Sequence, residues 1–128
     1  MSMTFVEVSP KKNAISYLIS LLKKGEDITL VNDGDVYRDV MHVDDVCRGI
    51  NAVVNRGEFN TIYNIGSGQM TSLGGIMSTA KHFLKSESNI FSKPGYSQDM
   101  LLDCGKVRAL GFSPKISITE IIRELCTN

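Results

Sequence analysis

The chain lacks tryptophan, carries only three prolines and three cysteines in 128 residues, and has no charge imbalance, its 14 Lys and Arg matching 14 Asp and Glu. Each shortage excludes something. Balanced charge provides no overall field to attract nucleic acid or an anionic membrane. No apolar run approaches the ~18 residues of a membrane-spanning helix. The N-terminus has no basic segment leading into an apolar core, so no secretory signal is read. Cys47, Cys104 and Cys126 form no CxxC pair and adjoin no histidine cluster, so no structural metal is expected and a reducing, cytoplasmic setting fits. Cys47 is expected to be a small buried hydrophobe.

What remains is ordinary globular material, 42% hydrophobic and 22% charged, enough for a single domain over residues 1–128. Thr4 to Val8 reads as a strand stopped by Ser9-Pro10. It starts with nothing before it to pair with, and Met1-Ser2-Met3 has the look of a remnant start, so missing upstream material is expected. Asn13 is a candidate cap for a helix whose apolar stripe is Ile15, Leu18, Ile19 and Leu22, ended by Gly25. Ile28 to Val31 reads as a strand turning through Asn32-Asp33-Gly34-Asp35 into a second strand, Val36 to Val43, as a hairpin. Asp44 or Asp45 would cap the next helix, with Val43, Val46, Cys47, Ile50, Val53 and Val54 inward. A strand Thr61–Ile65, a helix from Thr71 or Ser72 with Ile76, Met77, Ala80, Phe83 and Leu84 inside, a polar loop over Lys85–Lys93, a short helix from Asp103 to Leu110 and a last helix capped by Ser117 and Glu120, with Ile118, Ile121, Ile122 and Leu125 as its stripe, complete the pattern. Gly74 and Gly75 weaken the first turn of their helix unless it packs closely on something. About four helices alternating with short strands predict a small mixed α/β domain with a short sheet.

The stretch Val36-Tyr37-Arg38-Asp39-Val40-Met41-His42-Val43-Asp44-Asp45-Val46 is central. An Arg among valines on a strand needs a partner. On physics alone the commoner one is Asp39, Asp44 or Asp45 in a salt bridge, and the other is a phosphate held by the planar guanidinium. Gly66-Ser67-Gly68 stands where a phosphate loop would, between strand and helix, but without GxGxxG spacing or a P-loop Lys; a tight structural turn is the plainer reading. Asn64 must be hydrogen-bonded if buried, to a neighbouring backbone group or a ligand. His42 and His82 read as half-exposed structural histidines, Asp44-Asp45 as capping residues, and no Ser, His and Asp form a nucleophile signature. No catalytic residue is assigned.

Taken together, Gly34 to Val46, Ile62-Tyr63-Asn64-Ile65-Gly66-Ser67-Gly68, Lys93-Pro94-Gly95 and Asp103 to Lys115 resemble, in order and spacing, the C-terminal substrate-binding part of the extended short-chain dehydrogenase/reductase family, the NAD-dependent nucleotide-sugar epimerases and 4,6-dehydratases. The resemblance implies that Arg38 contacts the diphosphate of a nucleotide sugar, reversing the salt-bridge preference, and that Asn64, Lys93 and Asn13 belong to the substrate-binding set. Lys93 stands where the family has Arg, and gives a point charge without the bidentate fork. Val31 replaces an aromatic that supports the base in some members, so base identity does not carry over. The family's glycine-rich cofactor loop and Tyr-x-x-x-Lys pair are missing, which implies no NAD or NADP site in this chain and no activity alone, although the complete family enzyme uses one of these cofactors. The implied partners are a nucleotide sugar and, across an exposed face, a Rossmann domain or a second copy. The alternative is a non-enzymatic protein-interaction or oligomerisation domain built on the same fold.

Overall fold

A computed structural model describes residues 2–5, 14–96 and 103–127, with side chains from residue 15 onward in those ranges. In chain order the elements are β1 (Ser2–Phe5), α1 (Ala14–Lys23), β2 (Ile28–Val31), β3 (Tyr37–Arg38), α2 (Val43–Arg56), β4 (Ile62–Ile65), β5 (Thr71–Ser72), α3 (Leu73–Leu84), β6 (Ile90–Lys93), α4 (Gly105–Ala109) and α5 (Ile118–Thr127). The class is mixed α/β, as expected, with five helices among the described residues. The strands form three separate pairs: β1 with β4 and β2 with β6, both parallel, and β3 with β5, antiparallel.

Two cores result. In the first, α1, α3 and α5 pack over β2 through Ile19, Leu22, Ile28, Leu30, Ile76, Met77, Ala80 and Ile122. In the second, α2 and α4 pack over β4 through Ala52, Val53, Tyr63, Ile65, Cys104, Val107 and Phe112. The stripes read for α1, α3 and the last helix are the ones buried or packed against the first core. Local signals also hold at several ends. Gly25 at φ +75° closes α1, with its N–H on the Leu22 carbonyl and that of Glu26 on Leu21. Ser72 caps α3 by accepting from the Gly75 N–H at 3.1 Å. Ser117 accepts from the Glu120 N–H at 3.2 Å, and Gly111 at φ +86° follows α4.

Four expectations need correction. The Ile28–Val43 hairpin is absent: β2 pairs in parallel with β6, so Lys85–Lys93 is not wholly a loop but contains a strand from Ile90. Asn32, Asp33 and Gly34 do turn the chain, with left-handed φ of 50°, 60° and 73°, but β2 forms its ladder with β6 and β3 forms its own with β5, so the two strands do not pair with each other. The second strand is only Tyr37–Arg38, so the proposed alternation through His42 does not exist. The cap of α2 is His42, whose Nδ1 accepts from the Asp44 N–H at 3.0 Å, not Asp44 or Asp45. Finally, α2 turns Asp45, Gly49, Ala52 and Val53 inward and leaves Cys47 exposed, with Val43 and Val54 at 55% and 60% exposure. The reason is steric. A Cβ on Gly49 would stand 2.7 Å from Ile65 and 3.3 Å from Phe112, so the small face alone fits this close approach. The cap expected from Asn13 and the strand residues Val6 to Val8 lie outside the described residues.

The turn before β3 and the first turn of α3 are pressed together. A Cβ on Gly34 would run into the Gly74 backbone, and one on Gly74 into the Asp33 carbonyl, which accounts for glycine in a helix start that it otherwise weakens. Gly34→Ala adds strain at positive φ to a backbone clash, and should cost more than about 2 kcal/mol in urea unfolding; Gly25→Ala, at positive φ in open space, should cost less.

Candidate functional site

Two of the residues singled out from the sequence, Arg38 on β3 and Asn64 on β4, stand on strands linked through Asp39. Arg38 ends β3, half-buried, its Nη1 donating to the Tyr37 carbonyl at 3.0 Å. Its neighbour Asp39 reaches across to the loop after β4. One carboxylate oxygen accepts from the Ser67 N–H at 2.9 Å and the Ser67 hydroxyl at 2.7 Å, the other from the Gly68 N–H at 2.8 Å. The Gly66-Ser67-Gly68 loop therefore is an anion cradle, but its anion is internal. The amides a pyrophosphate would need there are already engaged, so this loop does not fit the cofactor's phosphates. Gly66 is held to glycine from the same side, since a Cβ would stand 2.9 Å from Asp39 Oδ2 and 3.0 Å from Cys104 Sγ. On the far side the Arg108 guanidinium lies against Gly68 and donates to the Ser67 carbonyl at 3.2 Å. Arg108 was not among the candidate site residues, although it lies within the Asp103 to Lys115 motif.

Asn64, on β4 just before the cradle, is half-buried and donates to the Asp103 carbonyl at 3.1 Å, the backbone partner expected on physical grounds. Lys93 ends β6 in register with Val31 and is exposed. The following turn is tied back by Asn32, whose amide donates to the Gly95 carbonyl at 2.6 Å. Asn13 lies outside the described residues. Of the four candidates, Arg38 and Asn64 stand on strands joined by Asp39, while Lys93 stands at the end of the neighbouring parallel pair.

A second carboxylate anchors another segment of the chain. Asp45 is fully buried, paired with Arg48 and accepting from the N–H groups of Lys115 and Ile116. Arg48 also donates to the Ser113 carbonyl at 3.1 Å and lies over the Phe112 ring. Burial pushes the Asp45 carboxyl upward, but Arg48 and the Ile116 and Lys115 amides outweigh it and hold it below the usual value. The segment so fixed closes a cavity of about 240 Å³ lined by Val40, Met41, Ser67, Thr71, Ile116 and Ile118. His42, the cap of α2, donates through Nε2 to Glu124 at 2.8 Å, since its Nδ1 is an acceptor. His82 is exposed. Burial, with the Asp39 charge adding, raises the Cys104 thiol above its ordinary value, so it stays protonated near neutrality and offers no nucleophile. No group of three or more metal-ligating side chains occurs among the described residues, and no helix there is long and apolar enough to cross a membrane.

Asp45→Ala should cost about 2–3 kcal/mol, less than the 3–5 of a fully buried pair because the Arg48 side chain is 38% exposed. The pH dependence has a definite sign. Because the folded value is depressed, the stabilisation is fully present above the unfolded value of ~3.9 and is lost as pH falls through the folded one. Urea unfolding at a series of pH values between neutrality and acid should show a shallower acid loss for Asp45→Asn than for the wild type.

Comparison with known proteins accords with this geometry. Residues 6–66 match the NAD dependent epimerase/dehydratase family. The chain is 32% identical over 111 residues to dTDP-glucose 4,6-dehydratase of Streptomyces griseus, an alignment taking 83% of this chain and 34% of that protein. Among solved structures, UDP-glucose 4-epimerase of Thermotoga maritima, crystallised with UDP-glucose, superposes with a TM-score of 0.80 at 23% identity, over 98% of this chain and 42% of the other. The Bordetella bronchiseptica enzyme WbmF, in complex with NAD+ and UDP, gives 0.77 at 27% identity, over 90% and 35%. The chain spans about a third of the length of the curated relatives it matches. With its motifs in order and its fold shared, the chain belongs to the NAD dependent epimerase/dehydratase family, among the extended short-chain dehydrogenases/reductases, and corresponds to a segment of such enzymes.

Proposed function

We propose that this chain is the substrate-recognition domain of a nucleotide-sugar epimerase or 4,6-dehydratase, binding the nucleoside diphosphate of the sugar donor. The observation that carries the reading is that Asp39, next to Arg38, is hydrogen-bonded to the loop that follows the strand of Asn64, which ties the two strands together. A guanidinium there can grip a diphosphate through two parallel hydrogen bonds. Lys93, exposed at the end of β6, adds a second positive charge that approaches as a point rather than a fork, and Asn13 completes the set carried over from the family. Relatives named for UDP-glucose and dTDP-glucose, and the solved complexes with UDP and UDP-glucose, support the ligand class.

In a complete enzyme of this kind NAD(P) would take a hydride from the sugar and return it. The sequence here contains no Tyr-x-x-x-Lys couple for the accompanying proton transfer. By itself the chain is therefore inactive in this reading, and its part is to hold and orient the donor.

A second reading, a domain working through protein contacts, is favoured by several exposed apolar side chains on α2, on β4 and between them. Val43 and Val54 on α2, Phe59 at 85% exposure and Ile62 at 54% are apolar and open to solvent, which offers a surface that a partner can cover. A Rossmann domain or a second copy of the chain is the occupant proposed for it.

Ligand-observed NMR against UDP, dTDP, GDP, CDP and ADP tests the first reading. Binding of at least one should fall by roughly tenfold or more in Arg38→Ala, the loss of a charge-assisted pair. Equal binding by wild type and variant, or none by a folded wild type, counts against it. For the second, sedimentation at micromolar concentration should reveal self-association that Val54→Asp weakens; a monomer throughout, binding no hydrophobic dye, would sink it.

A further inference from the structure

We infer that Asp39 is the positioning residue for Arg38, and that it does so by acting as the resident anion of the Gly66-Ser67-Gly68 cradle. The inference deepens the nucleotide-binding reading and rests on it. Its ground is the anchor that follows β3 directly. That strand is two residues long and pairs only Tyr37 with Ser72 and Arg38 with Thr71, well short of the ~5 residues of an ordinary strand. The Leu73 N–H adds one bond to the Val36 carbonyl at 2.9 Å, and Val40 packs against the first core. Immediately after Arg38, however, Asp39 accepts three hydrogen bonds on two oxygens, from the Ser67 N–H, the Ser67 hydroxyl and the Gly68 N–H. The receiving loop is itself held. Arg108 donates to the Ser67 carbonyl and packs on Gly68, and Gly66 admits no side chain without displacing Asp39 or Cys104. Arg38 is thus one peptide unit from a rigid anchor, and that anchor belongs to the same β4 segment that carries Asn64.

The chemistry of the anchor is specific. A carboxylate accepts at both oxygens, whereas an amide accepts at one and would turn its NH₂ toward either the Ser67 or the Gly68 N–H. Asp39→Asn, nearly isosteric, must therefore lose part of the cradle. Ser67→Ala removes only the hydroxyl donor and is the milder variant, chosen to remain folded if Asp39→Asn does not.

The experiment has two readouts. The first is the Nε–H signal of Arg38 in ¹⁵N NMR of the ligand-free chain, assigned by its loss in Arg38→Ala. It should shift or broaden in Asp39→Asn and, by less, in Ser67→Ala. The second is the affinity for UDP relative to uridine and for dTDP relative to thymidine, which isolates the diphosphate. That preference should fall by about tenfold in Asp39→Asn and a few-fold in Ser67→Ala, with nucleoside binding unchanged. An Arg38 signal unmoved in both folded variants overturns the inference. So does a moved signal with an intact diphosphate preference, since Asp39 would then be structural only. If the wild type binds no nucleotide, or binds it equally well as Arg38→Ala, the nucleotide reading fails separately. The Arg38 signal still decides whether Asp39 positions the arginine.

Discussion

The bond between Asp39 and the Ser67–Gly68 amides is the constraint on which the rest of the architecture turns. The chain builds two small cores, and it crosses between them three times among the described residues: outward after β3, back after β4, and again from α4 to α5. Each crossing is tied by polar contacts. Asp39 ties the outward crossing to the returning one. Asp45, at the start of α2, holds the third crossing through the Lys115 and Ile116 amides. His42 caps α2 and reaches Glu124 on α5. Apolar packing builds each half, and carboxylates and an imidazole set how the halves meet.

Such a seam suits a binding site. Hydrophobic contacts are non-directional and tolerate sliding, whereas a carboxylate receiving two or three N–H groups has one satisfactory geometry. Strands whose ends carry recognition residues benefit from the second kind of restraint. The arrangement also explains why a glycine loop in the position of a phosphate site is not one. The positive potential of its amides is spent on a side chain of the same chain.

Much of the fold was legible because the signals were local. Gly25 needed only its own backbone to end α1, Ser72 and Ser117 needed only the N–H groups three residues on, and the stripes of α1, α3 and α5 are apolar on the face they bury. The failures were of another kind. On α2 the wholly apolar stripe was taken as the inner face, yet Asp45, Gly49 and Ala52 point inward. Burying a charge is favourable only with Arg48 and the Lys115 and Ile116 amides in place, and these come from up to 71 residues away. The pairing of β2 with β6 links residues about sixty positions apart, and no turn signal announces a parallel partner. The candidate residues were named from motifs; that Asp39 fills the cradle was not foreseen, because an acid after an arginine looks the same whether it faces solvent, its neighbour or a distant loop.

The sequence by itself determined the α/β class, most helix ends, the buried stripes of α1, α3 and α5, and the candidates Arg38, Asn64 and Lys93. These rest on periodicity, capping and turn chemistry within a few residues, or on motifs in fixed order. Only the tertiary structure decided the rotation of α2, the parallel partner of β2, the cap supplied by His42, and the use of Asp39 and Asp45 as internal anions. Those depend on which amides and cations other parts of the chain bring within 3 Å or so of a carboxylate. That is a property of the assembled fold, absent from any short stretch of it.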